Sequence, residues 1–488
     1  MLRLLAILGA ALLAVALLTG CGEEEGGATA TATPTAALVT TPGARPSPEA
    51  TPAATAMATP AATATARATA TPAVTATPAE TSTAGLGKLA FIRDGDILVL
   101  DVDSGQETQL TTDGQNWWPQ WSADGERIAF RKRVLQAESE ALTEVWTIRA
   151  DGSGATLVGE SAMFGPIWAP DDDRLAYATD EGVLWLVDVE SGEQQQLSPP
   201  DWEVSRFAWL PDGKGLILEM LKRQEPGTPS PGSWVLNQGL WRINADGSDL
   251  VPVYGWDAAT LSTVDLGTLS PDGRWLTLWQ GLVSASLRAD GLPLRIMPAS
   301  GGEPQEIASF TLLQPGFVAW SPQGDRLAVV EGGGRETWAD KQIVVMQPDG
   351  SQRILLSDAG RADLAPAWSP DGERIAFASG ESGYEDYTEL LRTRRIWMAS
   401  SDGSDKRQLT DDPAYADGFP QWSADGADIL FVRQEAAAIN MDEELAPVEI
   451  WLMKADGSEQ HKLVDGLSNG WFGYYGFMDW GQLLDWHR

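Results

Sequence analysis

Few side chains in this sequence are of the types that do covalent or metal chemistry. Its 488 residues include one cysteine, Cys21, and two histidines, His461 and His487. A general base or a zinc site usually draws on histidine, and no second thiol is there to help. Gly466-Leu467-Ser468-Asn469-Gly470 has the G-x-S-x-G spacing of a nucleophile elbow. That motif works only at a sharp strand-to-helix turn of an α/β sheet, whereas here it follows a strand-like segment and reads as a loop. Asp101-Val102-Asp103-Ser104-Gly105-Gln106 carries the spaced carboxylates of a calcium loop, yet glycine stands fifth and no glutamate stands twelfth. It reads as a hairpin turn. Aspartate and glutamate are abundant, but no spacing marks one pair for glycoside hydrolysis or lysis. No catalytic residue, metal site or cofactor is expected from these groups.

Tryptophan is the abundant special residue. There are 22, all beyond position 86, and many sit in a recurring segment. Trp368 to Phe377, WSPDGERIAF, returns in altered form from Trp121, Trp168, Trp209, Leu269, Trp320 and Trp422. Repeats spaced roughly 40 to 60 residues apart imply a stacked or radial architecture. In each copy an apolar strand ends at the tryptophan. A Ser-Pro-Asp-Gly type turn follows, with residues suited to fixed and positive φ. An alternating strand such as Arg374–Phe377 comes next. A third strand, as in EIWLMKADGSE, closes on an Asp-Gly turn, and a short fourth strand ends the unit. Four antiparallel strands per repeat predict an all-β chain folded as a β-propeller. Lys88 to Thr112 supplies second, third and fourth strands without a first, and WFGYYGFMDWGQ near the C-terminus reads as a lone first strand with a turn after Trp480. Joining them completes eight blades, with seven as the alternative.

The short turns, first-to-second and third-to-fourth, fall on one rim. The second-to-third and blade-to-blade connections share the other and are long and varied, so that rim is the expected functional face. Its candidate binding residues are Trp117, Trp118, Trp202, Trp471, Tyr474 and Tyr475.

The Ser-Pro-Asp-Gly-x-x-Ile-Ala-Phe and Asp-Gly-Ser pattern resembles the TolB-like, WD40-like (PD40) propeller repeat, which also builds the propeller of dipeptidyl peptidase IV enzymes. The resemblance spans about 400 residues. It implies the fold, and through TolB it suggests protein interactions in a cell envelope. Neither a TolB-type N-terminal α/β domain nor a C-terminal hydrolase domain is expected beside it.

The N-terminus explains the cysteine. Arg3 precedes an apolar run, Leu4–Leu18, too short for a comfortable membrane span, and Leu18-Thr19-Gly20-Cys21 resembles the lipobox of bacterial lipoproteins. The resemblance implies lipid attachment at Cys21 after removal of residues 1–20, since stable anchoring takes more than one acyl chain. From Gly26 to about Gly85 the sequence is nearly all Ala, Thr and Pro, so residues 21–86 are expected to form a disordered, extended stalk. Residues 87–488 are expected to form the propeller. The net charge is −35, and residues 1–86 contribute three basic and five acidic groups to it. So acidic a propeller disfavours nucleic acid and anionic lipid as partners. The expected protein is a monomer anchored on the extracytoplasmic side of a bacterial membrane, binding a protein or a glycan by its long-loop face. A carboxylate-dependent hydrolase or lyase acting at the central channel is the alternative.

Overall fold

The computed structural model describes residues 85–488 apart from 136–140, 161, 223–238, 256–261, 283–284, 315, 440–447 and 468–473. Cys21, Ser468 and Trp471 lie outside the described residues, as does the expected stalk except for residues 85 and 86. The described chain forms eight antiparallel four-stranded sheets, and the protein is an all-β, eight-bladed propeller. The inner strands of blades 1 to 7 are Asn116–Trp121, Ala162–Trp168, Trp202–Trp209, Ser262–Leu269, Val318–Trp320, Arg361–Trp368 and Tyr415–Trp422. Blade 8 pairs the C-terminal Leu484–His487 with Lys88–Arg93, Asp96–Asp101 and Gln106–Gln109.

The repeated turns fold locally. In blade 6 the Ser369 hydroxyl donates to Asp371 Oδ1 (2.5 Å), which also accepts from Glu373 N (2.9 Å), while Arg374 N donates to Ser369 Oγ (2.9 Å). Gly372 takes φ +73°, where a side chain is disfavoured. The same network recurs at Ser122/Asp124 and Ser270/Asp272. On the same rim Asp402 accepts from Ser404 N and Oγ, and these bonds hold its carboxyl below the usual range. Part of the acidic composition is thus built into turns.

The second strands are less alternating than expected. Ile375, Ala376 and Phe377 are all buried, as are Ile429, Leu430 and Phe431, because each blade is covered on both faces by its neighbours. The motif tryptophans tie these neighbours together. Trp168, Trp209, Trp368 and Trp422 donate their indole N–H to the inner-strand carbonyls of Gln120, Ile167, Ala319 and Ala367, at 3.0 to 3.1 Å. Leu269 lacks the donor, and the next tryptophan, Trp320, bonds the Thr268 hydroxyl instead. Arginines reach across the same seams: Arg374 stacks on Trp422 at 4.6 Å and donates to Gly426 O.

The closing strand lies further along than the sequence suggested. WFGYYGFMDWGQ is not the lone first strand: its described part carries 3₁₀ turns at Tyr474–Gly476 and Trp480–Gln482, and the strand is Leu484–His487. It pairs Trp486 with Leu89 and Leu484 with Phe91, the register that Trp368 keeps with Ile375. Trp486 is therefore the motif tryptophan of an eighth repeat, whose second strand, Lys88-Leu89-Ala90-Phe91, stands at the other end of the domain. The long-loop rim is also uneven. Blade 8 turns between Arg93 and Asp96 and blade 2 between Thr179 and Leu184, both tightly.

Candidate functional site

Four inner strands share an x-Pro-x-Trp ending: Trp118-Pro119, Gly165-Pro166, Ala365-Pro366 and Phe419-Pro420. Proline has no N–H for the ladder, so an extra residue bulges out and the register slips there in each blade. The bulged residues take positive φ: 62° at Trp118, 82° at Gly165, and 51° at Ala365 and Phe419. In blades 1, 6 and 7 this distortion re-aims a side chain, and in blades 6 and 7 those side chains, Ala365 and Phe419, line a hollow.

The hollow has a volume of about 240 Å³. Its walls are mainly apolar: Phe317 of blade 5, Leu364, Ala365 and Ala378 of blade 6, Ala416, Phe419 and Val432 of blade 7, and Leu391 and Ile439 from long-rim connections. The last wall is the segment leading into the closing strand, with Gly476, Phe477, Met478, Asp479 and Trp480. That segment is pinned to blade 5. Thr337 donates through both N and Oγ1 to Tyr475 O (3.1 Å each), and Phe477 meets Phe317 edge-on, 6.0 Å between centroids. Gly476 has φ +77°, and a Cβ there would lie 2.9 Å from Thr337 Oγ1 and the Trp338 ring.

Arg394, which follows the short helix Tyr387–Arg392, reaches the hollow. Its Nη2 donates to Thr337 Oγ1 (2.9 Å) and O (3.2 Å), and its Nη1 contacts Gly476 O at 3.5 Å. Burial pulls its pKa down to about 10, so it stays cationic at neutral pH. The carboxylates of the lining are otherwise engaged. Asp417 holds Arg433 by two bonds, 2.7 and 3.0 Å, with both side chains almost wholly buried and the guanidinium beside Tyr415, Phe431 and Trp451. Asp479 accepts from Gln482 Nε2 at 3.2 Å, and burial raises its pKa.

Position by position, blades 1, 6 and 7 compare instructively. Asp417 pairs in register with Arg433, Asp363 with Ser379, and Asn116 with Lys132. Asp363 is buried without a facing arginine. Its Oδ1 has no hydrogen-bond partner, and burial pushes its carboxyl up. Elsewhere on the long rim, Glu219 accepts from Ser205 Oγ (2.6 Å) and Leu266 N (2.7 Å). Burial, and then the neighbouring Asp265, raise its pKa. Asp265 is itself bonded twice by Arg288 (2.5 and 2.6 Å), which stands on the helical turn Ala285–Ala289.

The aromatic candidates occupy separate places. Trp118 lies under the Arg131 guanidinium at 4.6 Å, and Arg131 donates to Gly165 O (2.6 Å) and Met163 O (2.9 Å) of blade 2. Trp117 is half-buried on the same strand. Trp202 of blade 3 packs edge-on against Trp241, 5.2 Å between centroids. Tyr475 sits 5.4 Å beneath Arg335, and Tyr474 opens the turn before it. His461 is exposed on an outer strand, and His487 tilts against Trp121 at 5.8 Å. Asp101 accepts from Ser104 N and Oγ, so the DVDSGQ segment is the expected hairpin turn. Among the described residues no group of three or more His, Cys, Asp or Glu is placed to hold a metal ion. Sequence reasoning passed over Arg394, Asp417 and the bulges; the recurring Pro-x-Trp was the signal for the last.

No protein-family model matches the chain. The uncharacterised protein Atu1656 of Agrobacterium fabrum is 29% identical over 259 residues, 53% of this chain and 74% of that one. The uncharacterised peptidase YuxL of Bacillus subtilis is 28% identical over 186 residues, and the Tol-Pal system protein TolB of Anaeromyxobacter dehalogenans is 32% identical over 171. The matches span only 28% and 36% of those two proteins. Among solved structures, dipeptidyl peptidase 4 of Porphyromonas gingivalis superposes with a TM-score of 0.55 at 12% identity, over 79% of this chain and 60% of its own. A eukaryotic initiation factor does so with a TM-score of 0.50 at 11% identity, over 79% of this chain and 87% of its own. A peptidase and a translation factor share the architecture, so the likeness shows fold alone. The chain is an eight-bladed propeller, similar over part of its length to a Tol-Pal system protein TolB, with a dipeptidyl peptidase propeller among its structural neighbours.

Proposed function

We propose that this protein is a lipid-anchored, extracytoplasmic binding propeller of a bacterial envelope, engaging its partner through the long-loop face. Cys21 carries the lipid, residues 21–86 space the domain from the membrane, and the propeller presents the binding surface. The observation that carries the reading is the apolar hollow between the inner strands of blades 5 to 7, on a rim built from the longest connections. Apolar walls suit side chains of a protein better than the hydroxyls of a glycan. Lys88 pairs with His487 at the short-turn rim, so the chain enters the ring opposite the hollow, as display from a tether requires. Likeness to a Tol-Pal system protein supports the envelope setting.

The test is crosslinking on intact cells, mild detergent extraction and mass spectrometry, comparing the native protein with Met478→Glu, which puts a charge on the hollow's wall. A partner captured by the native protein and lost by a folded variant supports the reading; a partner held equally by both overturns it. Cys21→Ser is expected to move the protein from the membrane to the soluble fraction. A second reading, carboxylate-dependent hydrolysis or lysis, is favoured by the Glu219–Asp265 pair alone. Turnover of a glycan substrate that Glu219→Gln abolishes would establish it.

A further inference from the structure

We infer that the hollow of blades 5 to 7 captures the carboxy-terminus of a partner polypeptide that ends in an apolar residue, with Arg394 receiving the terminal carboxylate. The inference rests on the reading that this face binds a protein, and it names the part of the partner that is bound.

Three observations lead there. First, among the described residues the charge of Arg394 is uncompensated. Its three acceptors are two carbonyls and a hydroxyl, all neutral, and one of the contacts is a long 3.5 Å. Its lowered affinity for the proton comes from desolvation, with no carboxylate of the described residues offsetting it. Second, neither acid in the lining is bonded to it: Asp417 is committed to Arg433, and Asp479 accepts from Gln482 Nε2. A guanidinium in an apolar recess, with no anion among the described residues bonded to it, is a place for a ligand's anion, because desolvated charge-assisted hydrogen bonds are the strong ones. The protein's overall negative charge opposes such a ligand only weakly, since salt screens it beyond about 8–10 Å. Third, size limits the occupant. At about 240 Å³ the hollow falls below the roughly 300–1,000 Å³ of sites that enclose a whole drug-sized molecule. It accommodates the tip of a longer ligand: a carboxylate and one apolar side chain such as Leu or Phe.

The test is calorimetry on the propeller domain in the full chain, with acetyl-Ala-Ala-Ala-Leu-Phe as the free acid and as its C-terminal amide. The acid is expected to bind about ten-fold or more tightly than the amide. Arg394→Met should abolish that preference, and Arg394→Lys should keep part of it. Equal binding of acid and amide by the native protein overturns the inference while leaving the face as a binding surface. Octanoate binding as tightly as the peptide acid overturns the peptide assignment in favour of free apolar acids. If neither peptide binds at millimolar concentration the inference falls, and the crosslinking experiment alone decides the broader reading. The native acid–amide comparison needs no variant, so a poorly folding Arg394→Met leaves the test intact.

Discussion

Asp417 and Asp363 occupy the same place in adjacent blades, yet replacing each by asparagine should have opposite effects. Asp417 is bonded twice by the buried Arg433. The Asp417→Asn change would leave that guanidinium buried with no counter-charge, and breaking one side of a buried pair costs about 3–5 kcal/mol. Asp363 faces Ser379 and keeps one oxygen without a partner. Asparagine has the same shape and no charge to desolvate, so Asp363→Asn should stabilise by on the order of 1 kcal/mol. Unfolding the compact unit of residues 80–488 at about 2.1 cal/mol/K per residue gives an entropy near 0.8–0.9 kcal/mol/K. The expected shifts in Tm are thus a fall of about 4–6 °C for Asp417→Asn and a rise of about 1 °C for Asp363→Asn, read by scanning calorimetry at pH 7. The pH dependence supplies a second check. A carboxyl whose folded pKa is raised binds more protons folded than unfolded, so its penalty is present at neutral pH. That penalty vanishes as pH falls through the folded value. The advantage of Asp363→Asn should therefore shrink toward pH 4. A stabilised Asp417→Asn protein, or an Asp363→Asn advantage that persists unchanged in acid, would refute the reasoning.

Other outcomes follow from the same geometry. Trp422→Phe removes the indole bond to Ala367 O and leaves Arg374 a smaller ring to stack on, and should cost about 1–2 kcal/mol in urea denaturation. Lys341 is wholly buried and donates to the carbonyls of Gly333, Gly334 and Ala339. Lys341→Met should destabilise by about 3 kcal/mol and speed hydrogen exchange in the loop from Gly332 to Asp340. Deleting Leu484–Arg488 exposes the edge of Lys88–Arg93 and uncovers Leu89 and Phe91. Such a chain should aggregate on purification, as seen by light scattering.

The propeller was legible because its signals are local. A Ser-x-Asp-Gly turn satisfies its own backbone within five residues, as Ser369 and Asp371 show, so each copy announces a strand pair. The closing strand was misplaced because its motif is cut: Trp486 stands at one end and Lys88-Leu89-Ala90-Phe91 at the other, with no turn between them to read. The hollow was not legible. It needs Phe317, Ala365, Phe419 and Arg394, from three blades and a long connection, under a segment that returns from blade 7. No spacing records that convergence. Aromatic type alone also misleads about availability, since Trp202 pairs with Trp241 and Trp118 lies beneath Arg131.

The split repeat has a mechanical consequence. Lys88–Arg93 is the first strand among the described residues, and it is held on one side by Asp96–Asp101 and on the other by Leu484–His487. Tension arriving through the residues before Leu86 runs along that strand. Both flanking ladders are then loaded lengthwise, so their hydrogen bonds resist together instead of opening one after another. Trp486 adds a fastener at the point of entry by donating to Leu86 O at 2.8 Å. The ring is thus joined by two ladders loaded in shear where a pull through those residues would reach it first.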